Sequence, residues 1–104
     1  MPPQISIVQT TLPTSWIEPE VGSFSQLMIE SGAACVQYSK TRSTYKWEGQ
    51  IESSEEWKLQ IKVQQNGLET LLTTLRKNHP HTLPQIVHWL AESTAQYTDW
   101  VESA

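Results

Sequence analysis

Alternation of apolar and polar residues predicts where the strands of this chain lie. The clearest pattern covers residues 57–64, in which every second residue is apolar and the residues between are lysines or glutamines. The apolar positions are Trp57, Leu59, Ile61 and Val63. Since side chains of a strand point alternately to its two faces, this segment is predicted to be a strand with one buried face.

The other predicted strands are less regular and cover residues 4–10, 33–38, 44–51 and 84–90. Segments 44–51 and 57–64 are predicted to form a hairpin whose turn is Glu52-Ser53-Ser54-Glu55. Gly49 then lies inside the first arm, where a glycine marks a bulge or a close approach by a neighbouring backbone. The bulge is the simpler interpretation.

Apolar positions at helical spacing predict three helices. The first covers residues 19–31 and is stopped by Gly32. The second begins near Leu68, where leucines recur at i, i+3, i+4 and i+7, and ends before Pro80. A short terminal helix follows a cap at Ser93 or Thr94.

The resulting order, β-α-β-β-α-β with a C-terminal helix, is typical of a ferredoxin-like α+β sandwich. The middle strands, between Ala33 and Val63, are long relative to the outer two. An overhanging hairpin leaves unpaired backbone at its edges. A cyclic oligomer in which the overhang pairs with a neighbouring chain would cover those edges.

Composition narrows the class of protein. The 104 residues are predicted to form one domain, residues 1–104. A net charge of −4 with scattered Lys and Arg gives no support for nucleic-acid binding, and one cysteine excludes a disulfide framework. No apolar run reaches the length of a membrane span, and residues 1–10 lack the features of a signal peptide. We expect a soluble cytoplasmic domain.

Motifs for nucleophilic catalysis or phosphate binding are missing from the sequence. Neither a Gly-x-Ser-x-Gly elbow nor a glycine-rich phosphate loop occurs. Cys35 lies in the apolar run Ala33-Ala34-Cys35-Val36 and is predicted to be a small buried residue; a reactive thiol would need an electropositive, accessible setting. These observations favour a protein that is not an enzyme.

Two histidines are the candidate metal ligands. His79 and His81 are two residues apart, so in an extended segment their rings point the same way and could share an ion. Zinc needs further ligands, and the alternative is that both rings are solvated or hydrogen-bonded at a helix end. His88, between Val87 and Trp89, is predicted to be a core or interface histidine.

Several motifs together resemble the CutA divalent-cation-tolerance proteins over nearly the whole chain. In order, they are Ala33-Ala34-Cys35-Val36, Tyr45-Lys46-Trp47-Glu48-Gly49, Ile61-Lys62, His79-Pro80 and Tyr97-x-x-Trp100. The resemblance implies a ferredoxin-like subunit in a homotrimer with the architecture of PII signalling proteins. It also implies a role, without catalysis, in tolerance of copper and other divalent cations.

The resemblance further implies a cleft between subunits. Its walls would be Tyr45 and Trp47, Lys62 would hold an anionic group, and His79 and His81 would be the groups able to bind copper or zinc. The alternative is a PII-like signalling module that binds a small anionic ligand or an unknown partner protein in this cleft.

Two of the family's copper ligands are replaced in this chain. The family pattern has a cysteine before Thr-x-Pro and a His-His pair before Pro; the corresponding residues here are Thr10 and Asn78-His79. A hydroxyl and an amide are poor copper ligands beside a thiolate and an imidazole. His81 stands where the family usually has a tyrosine.

Overall fold

The structure, a computed structural model, describes residues 2–104. The elements are β1 (Gln4–Pro13), α1 (Glu18–Glu30), β2 (Cys35–Trp47), β3 (Gln50–Val63), α2 (Leu68–Asn78), β4 (Ile86–Glu92) and α3 (Ala95–Ser103), with one 3-10 turn at Gln65–Gly67. The strands form one antiparallel sheet in the order β2-β3-β1-β4. This is the predicted ferredoxin-like α+β fold with a C-terminal helix.

The main core lies between one face of the sheet and helices α1 and α2. The alternation predicted for residues 57–64 is confirmed, since Trp57, Leu59, Ile61 and Val63 are all buried. They meet apolar side chains of α1 (Val21, Phe24 and Met28) and of α2 (Leu71, Leu72 and Leu75). Burial of these side chains, worth about 1.5–3 kcal/mol each, fixes the two helices on this face.

The opposite face of the sheet is only partly covered. Helix α3 packs Val101 against Ile5 and Ile7 at one end. The remainder is polar and includes a row of three glutamines on adjacent strands, in which Gln9 of β1 pairs with Gln60 of β3, and Gln60 pairs with Gln37 of β2. On β4, the same face carries the half-exposed Trp89. We call this surface the open face.

The hairpin turn does not lie at Glu52–Glu55, and this prediction is wrong. Trp47 pairs with Gln50, so the turn consists of Glu48 and Gly49, whose φ angles of 50° and 79° fit a two-residue type I′ turn. Gly49 is therefore a turn residue and not a bulge. Residues 35–38 and 44–47 belong to one continuous strand, β2, and the acidic run lies within β3.

With its turn at Glu48 and Gly49, the hairpin extends further beyond β1 than the predicted turn would allow. Strand β1 ends its pairing at Pro13, which is opposite Glu56. Residues 42–55 therefore form a two-stranded projection with no third strand, and we call it the arm. Nearly all of its side chains are exposed. At its base, Glu55 accepts from Lys40 Nζ at 3.4 Å and from Thr14 Oγ1 at 3.2 Å, and these contacts lower the pKa of Glu55.

None of the helices formed by residues 2–104 has the length and apolar character needed to cross a lipid bilayer.

Candidate functional site

His79 lies at the C-terminal end of α2, where the chain becomes extended and turns toward β4. Its Nε2 is 2.8 Å from the carbonyl oxygen of Thr11 and 3.0 Å from Thr10 Oγ1. The Thr10 hydroxyl donates to the carbonyl oxygen of Gln85 at 2.7 Å. Since Thr11 offers a carbonyl, an acceptor only, Nε2 must carry a proton and donate it.

The second ring nitrogen of His79 is also engaged. Nδ1 accepts a hydrogen bond from the backbone N–H of His81 at 3.1 Å. The hydrogen-bond network thus assigns the neutral Nε2–H tautomer. The pKa of His79 is lowered, mainly because burial disfavours the charged ring. The bond to Thr11 raises this pKa and nearby His81 lowers it further, and the net shift is downward. A second proton would have to sit on Nδ1, facing an N–H, so the neutral ring fits this position.

The structure brings His79 and His81 together, but not as a pair of metal ligands. The two ring centroids are 5.3 Å apart and the planes are tilted by 36°. A metal binds the lone pair of an imidazole nitrogen, and the only lone pair of His79 accepts from the backbone of His81. Only the exposed ring of His81 is available in this conformation.

The two replaced family positions do not supply further metal ligands. Thr10 Oγ1 lies between His79 and Gln85, and Asn78 Nδ2 donates to the carbonyl oxygen of Thr74 at 2.9 Å. Over residues 2–104, no three His, Cys, Asp or Glu side chains come together as a metal site would require. As it is folded, this loop therefore offers an ion one free imidazole, that of His81.

The predicted cleft residues are not brought together within one chain. Tyr45 and Trp47 lie near the tip of the arm and are about half exposed, at 42% and 51%. The Tyr45 hydroxyl is 3.2 Å from Ser54 Oγ across the hairpin, and Tyr45 itself pairs with Glu52. Lys62 is ten positions further along β3, about 34 Å away at 3.4 Å per residue.

Lys62 lies at the other end of β3, on the open face. Its Nζ donates to Gln37 Oε1 at 2.6 Å and lies 6.0 Å from the centre of the Tyr97 ring. It pairs in register with Cys35, which is half-buried with a free thiol. A cleft containing Tyr45, Trp47 and Lys62 can therefore form only if the arm of one chain reaches another chain.

A cavity of about 440 Å³ lies between the end of α2 and β4. The residues that line it are not predicted from the sequence to form one site. Arg76 and His88 line it together with His81. His88 is exposed in the single chain, so it is not a core histidine, and the alternative of an interface histidine stays a prediction. The sequence carries a signal for this group. Leu72 and Arg76 are four residues apart on α2, and Ile86 and His88 are two residues apart on β4, so each pair shares one face of its element.

Comparison with known proteins gives one consistent result. The sequence profile of the family described as "CutA1 divalent ion tolerance protein" matches residues 6–104. A curated relative, the divalent-cation tolerance protein CutA of Thermus thermophilus, is 29% identical over 97 residues, which are 91% of this chain and 92% of that protein. Other curated relatives are longer, and the chain spans 45% to 66% of three of them.

Solved structures agree with the sequence comparison. CutA from Synechococcus elongatus superposes with a TM-score of 0.86 at 30% identity, covering 97% of this chain and 89% of that one. The PII-like protein CutA from a Nostoc species gives a TM-score of 0.82 at 29% identity, with 94% of each chain covered. The chain therefore belongs to the CutA1 divalent ion tolerance family.

Proposed function

We propose that this chain acts as a homotrimer in the cytoplasmic response to divalent cations, including copper, without catalysing a reaction. The observation that supports assembly is the arm, which has two unpaired backbone edges. Apolar side chains are exposed at its end, among them Trp47 at 51% and Ile51 at 79%. An unpaired hairpin of this kind is stable when another strand covers it.

Two further features support closure into a ring. Strand β4 is an edge strand, so its outer backbone is free to accept another strand. The open face also leaves Trp89 and Val87 half exposed, next to the glutamine row. Cyclic symmetry would let each chain offer its arm to one neighbour and receive the arm of the other.

Sedimentation equilibrium tests this assembly. The expected mass is that of three 11.9 kDa chains, and Ile51→Asp, which places a charge at the end of the arm, is expected to shift the mass toward the monomer. Ile29→Asp is the matched control, since Ile29 is an exposed isoleucine of α1 outside the arm. A wild-type mass of one chain at micromolar concentration would refute the proposal.

The metal-capable residues in this proposal are His79 and His81. The hydrogen bond that His79 accepts from His81 favours a low affinity for a metal ion. A metal could use Nδ1 of His79 only after the ring gave up its bond to the His81 N–H. That exchange costs about 1 kcal/mol or more before any binding energy is gained. The response to cations would then not depend on a tight copper site built on this loop.

Calorimetric titration with Cu²⁺ and with Zn²⁺ tests this part of the proposal. We expect binding no tighter than micromolar, weakened by His81→Ala and little changed by His79→Gln, because only the His81 ring is free. His88→Gln shows whether the third histidine, which lines the same cavity as His81, takes part in the binding. Submicromolar binding that needs both His79 and His81 would contradict the geometry described above.

A further inference from the structure

The cavity between α2 and β4 has a cationic rim and an apolar floor. Arg76, His81 and His88 contribute nitrogen donors, and Thr82 contributes a hydroxyl. Leu72 and Ile86 form part of the floor. No carboxylate lines the cavity, and within residues 2–104 no side-chain hydrogen bond or ion pair occupies these three nitrogen-bearing side chains.

From this arrangement, we propose that the cavity binds a small phosphorylated molecule. Its phosphate would lie against Arg76, His81 and His88, and its carbon portion would rest on the apolar floor. The proposal goes beyond the response to cations, and every residue that it uses belongs to the same chain.

The donor set favours a phosphate over other charged groups. A guanidinium offers paired N–H donors that match phosphate oxygens, and two imidazoles and a hydroxyl add donors for the remaining oxygens. A divalent cation is disfavoured at the same place because the permanently charged Arg76 would repel it. At about 440 Å³ the cavity exceeds the needs of free phosphate and lies within the range of small-ligand sites.

The net charge of the chain helps to distinguish specific phosphate binding from a general attraction of anions. The chain carries −4 overall, so a general electrostatic attraction would not concentrate anions on it. Binding of an anion must therefore come from a local group of donors. Arg76 has a neighbour of equal charge, Lys77, on the same last turn of α2 but outside the cavity lining.

Calorimetry on the full-length protein would use phenyl phosphate, inorganic phosphate and phenol as probes. We expect phenyl phosphate to bind more tightly than inorganic phosphate, and phenol to give no heat. Arg76→Gln and His88→Gln are each expected to weaken phenyl phosphate binding roughly tenfold, whereas Lys77→Gln changes it by less than about twofold.

Three outcomes would overturn the proposal. One is the absence of phenyl phosphate binding at millimolar concentration, and another is an equal loss in Arg76→Gln and Lys77→Gln. The third is Zn²⁺ binding that is lost in a His81→Ala, His88→Ala variant while phenyl phosphate gives no heat. Because the sedimentation experiment measures assembly independently, failure here would leave the proposed trimer standing.

Discussion

His79 joins three segments that are far apart in the sequence: the end of β1, the end of α2 and the loop that leads to β4. Its ring donates to Thr11 and accepts from His81, and its edge-to-face contact with Phe24, at 6.4 Å between ring centres, ties it to α1. All three contacts require this orientation of the ring, and the bond accepted from His81 also requires the ring to be neutral. The residue therefore stabilises the loop that shapes the cavity beside it.

A stability measurement against pH tests the role of His79. Its pKa is lowered from 6.5 in the folded chain, so the unfolded chain binds a proton more readily. The stability that the neutral ring contributes is complete above pH 6.5 and is lost as the pH falls below that value toward the lowered pKa. We expect the free energy of unfolding to decrease as the pH falls below about 6.5, and His79→Gln to reduce this decrease.

At neutral pH, His79→Gln is also expected to cost about 1 kcal/mol, because the part-buried carbonyl of Thr11 loses its donor and the His81 N–H loses its acceptor. His88→Gln is the control, since His88 is exposed and makes none of these bonds. An identical pH dependence in wild type and His79→Gln would show that another group is responsible.

Among the elements, the β2–β3 hairpin depends most on one local conformation. Glu48 and Gly49 both have positive φ angles, and nothing lies within 4 Å of the position where a Cβ would stand on Gly49. Space is therefore available at Gly49, and the cost of a side chain there is conformational. The left-handed region disfavours residues with a Cβ by about 1–2 kcal/mol.

Glycine-to-alanine substitutions at two positions are expected to have opposite effects on stability. Gly49→Ala should lower the free energy of unfolding by about 1 kcal/mol because of its positive φ. Gly22→Ala should raise it by about 0.5–1 kcal/mol, since Gly22 lies in α1 with open space around it and alanine favours a helix. Urea unfolding at equal protein concentration measures both.

If Gly49→Ala proved neutral or stabilising, the turn would not have the positive φ angles described here. Gly22→Ala shows in the same experiment whether the assay resolves changes of this size.

The elements that the sequence predicts well are those with a buried face. In β3, the alternation from Trp57 to Val63 reflects contact with the helices, so it marks both the strand and its orientation. The arm has solvent on both faces and carries no such period, so its acidic and serine residues resemble a turn in the sequence. The Glu48-Gly49 pair was the available turn signal.

The site is harder to predict because its contacts join distant residues. The sequence shows that His79 and His81 are close, but not that the carbonyl of Thr11, 68 positions away, accepts a hydrogen bond from His79. It also shows Arg76 as a residue suited to the end of a helix, while its place beside His88 depends on how α2 crosses the sheet. Tertiary packing decides both outcomes.

On the scale of the whole molecule, the arm places two aromatic residues of the predicted cleft far from its lysine. The molecule measures 44 × 28 × 22 Å, and the arm projects beyond the part of the sheet that the helices cover. Tyr45 and Trp47 are thereby separated from Lys62 within one chain. Any site that uses all three depends on assembly, whereas the residues beside Arg76 already lie together in one chain.

The glutamine row on the open face has a consequence for how copies of the chain can meet. Gln9, Gln37 and Gln60 each carry an amide that both donates and accepts, and none carries a charge. Gln37 Oε1 already accepts from Lys62, but the amides of Gln9 and Gln60 could pair with those of a copy related by a rotation axis without electrostatic repulsion. Replacing the row by lysines or glutamates would forfeit that property, because identical charges would then face each other around the axis.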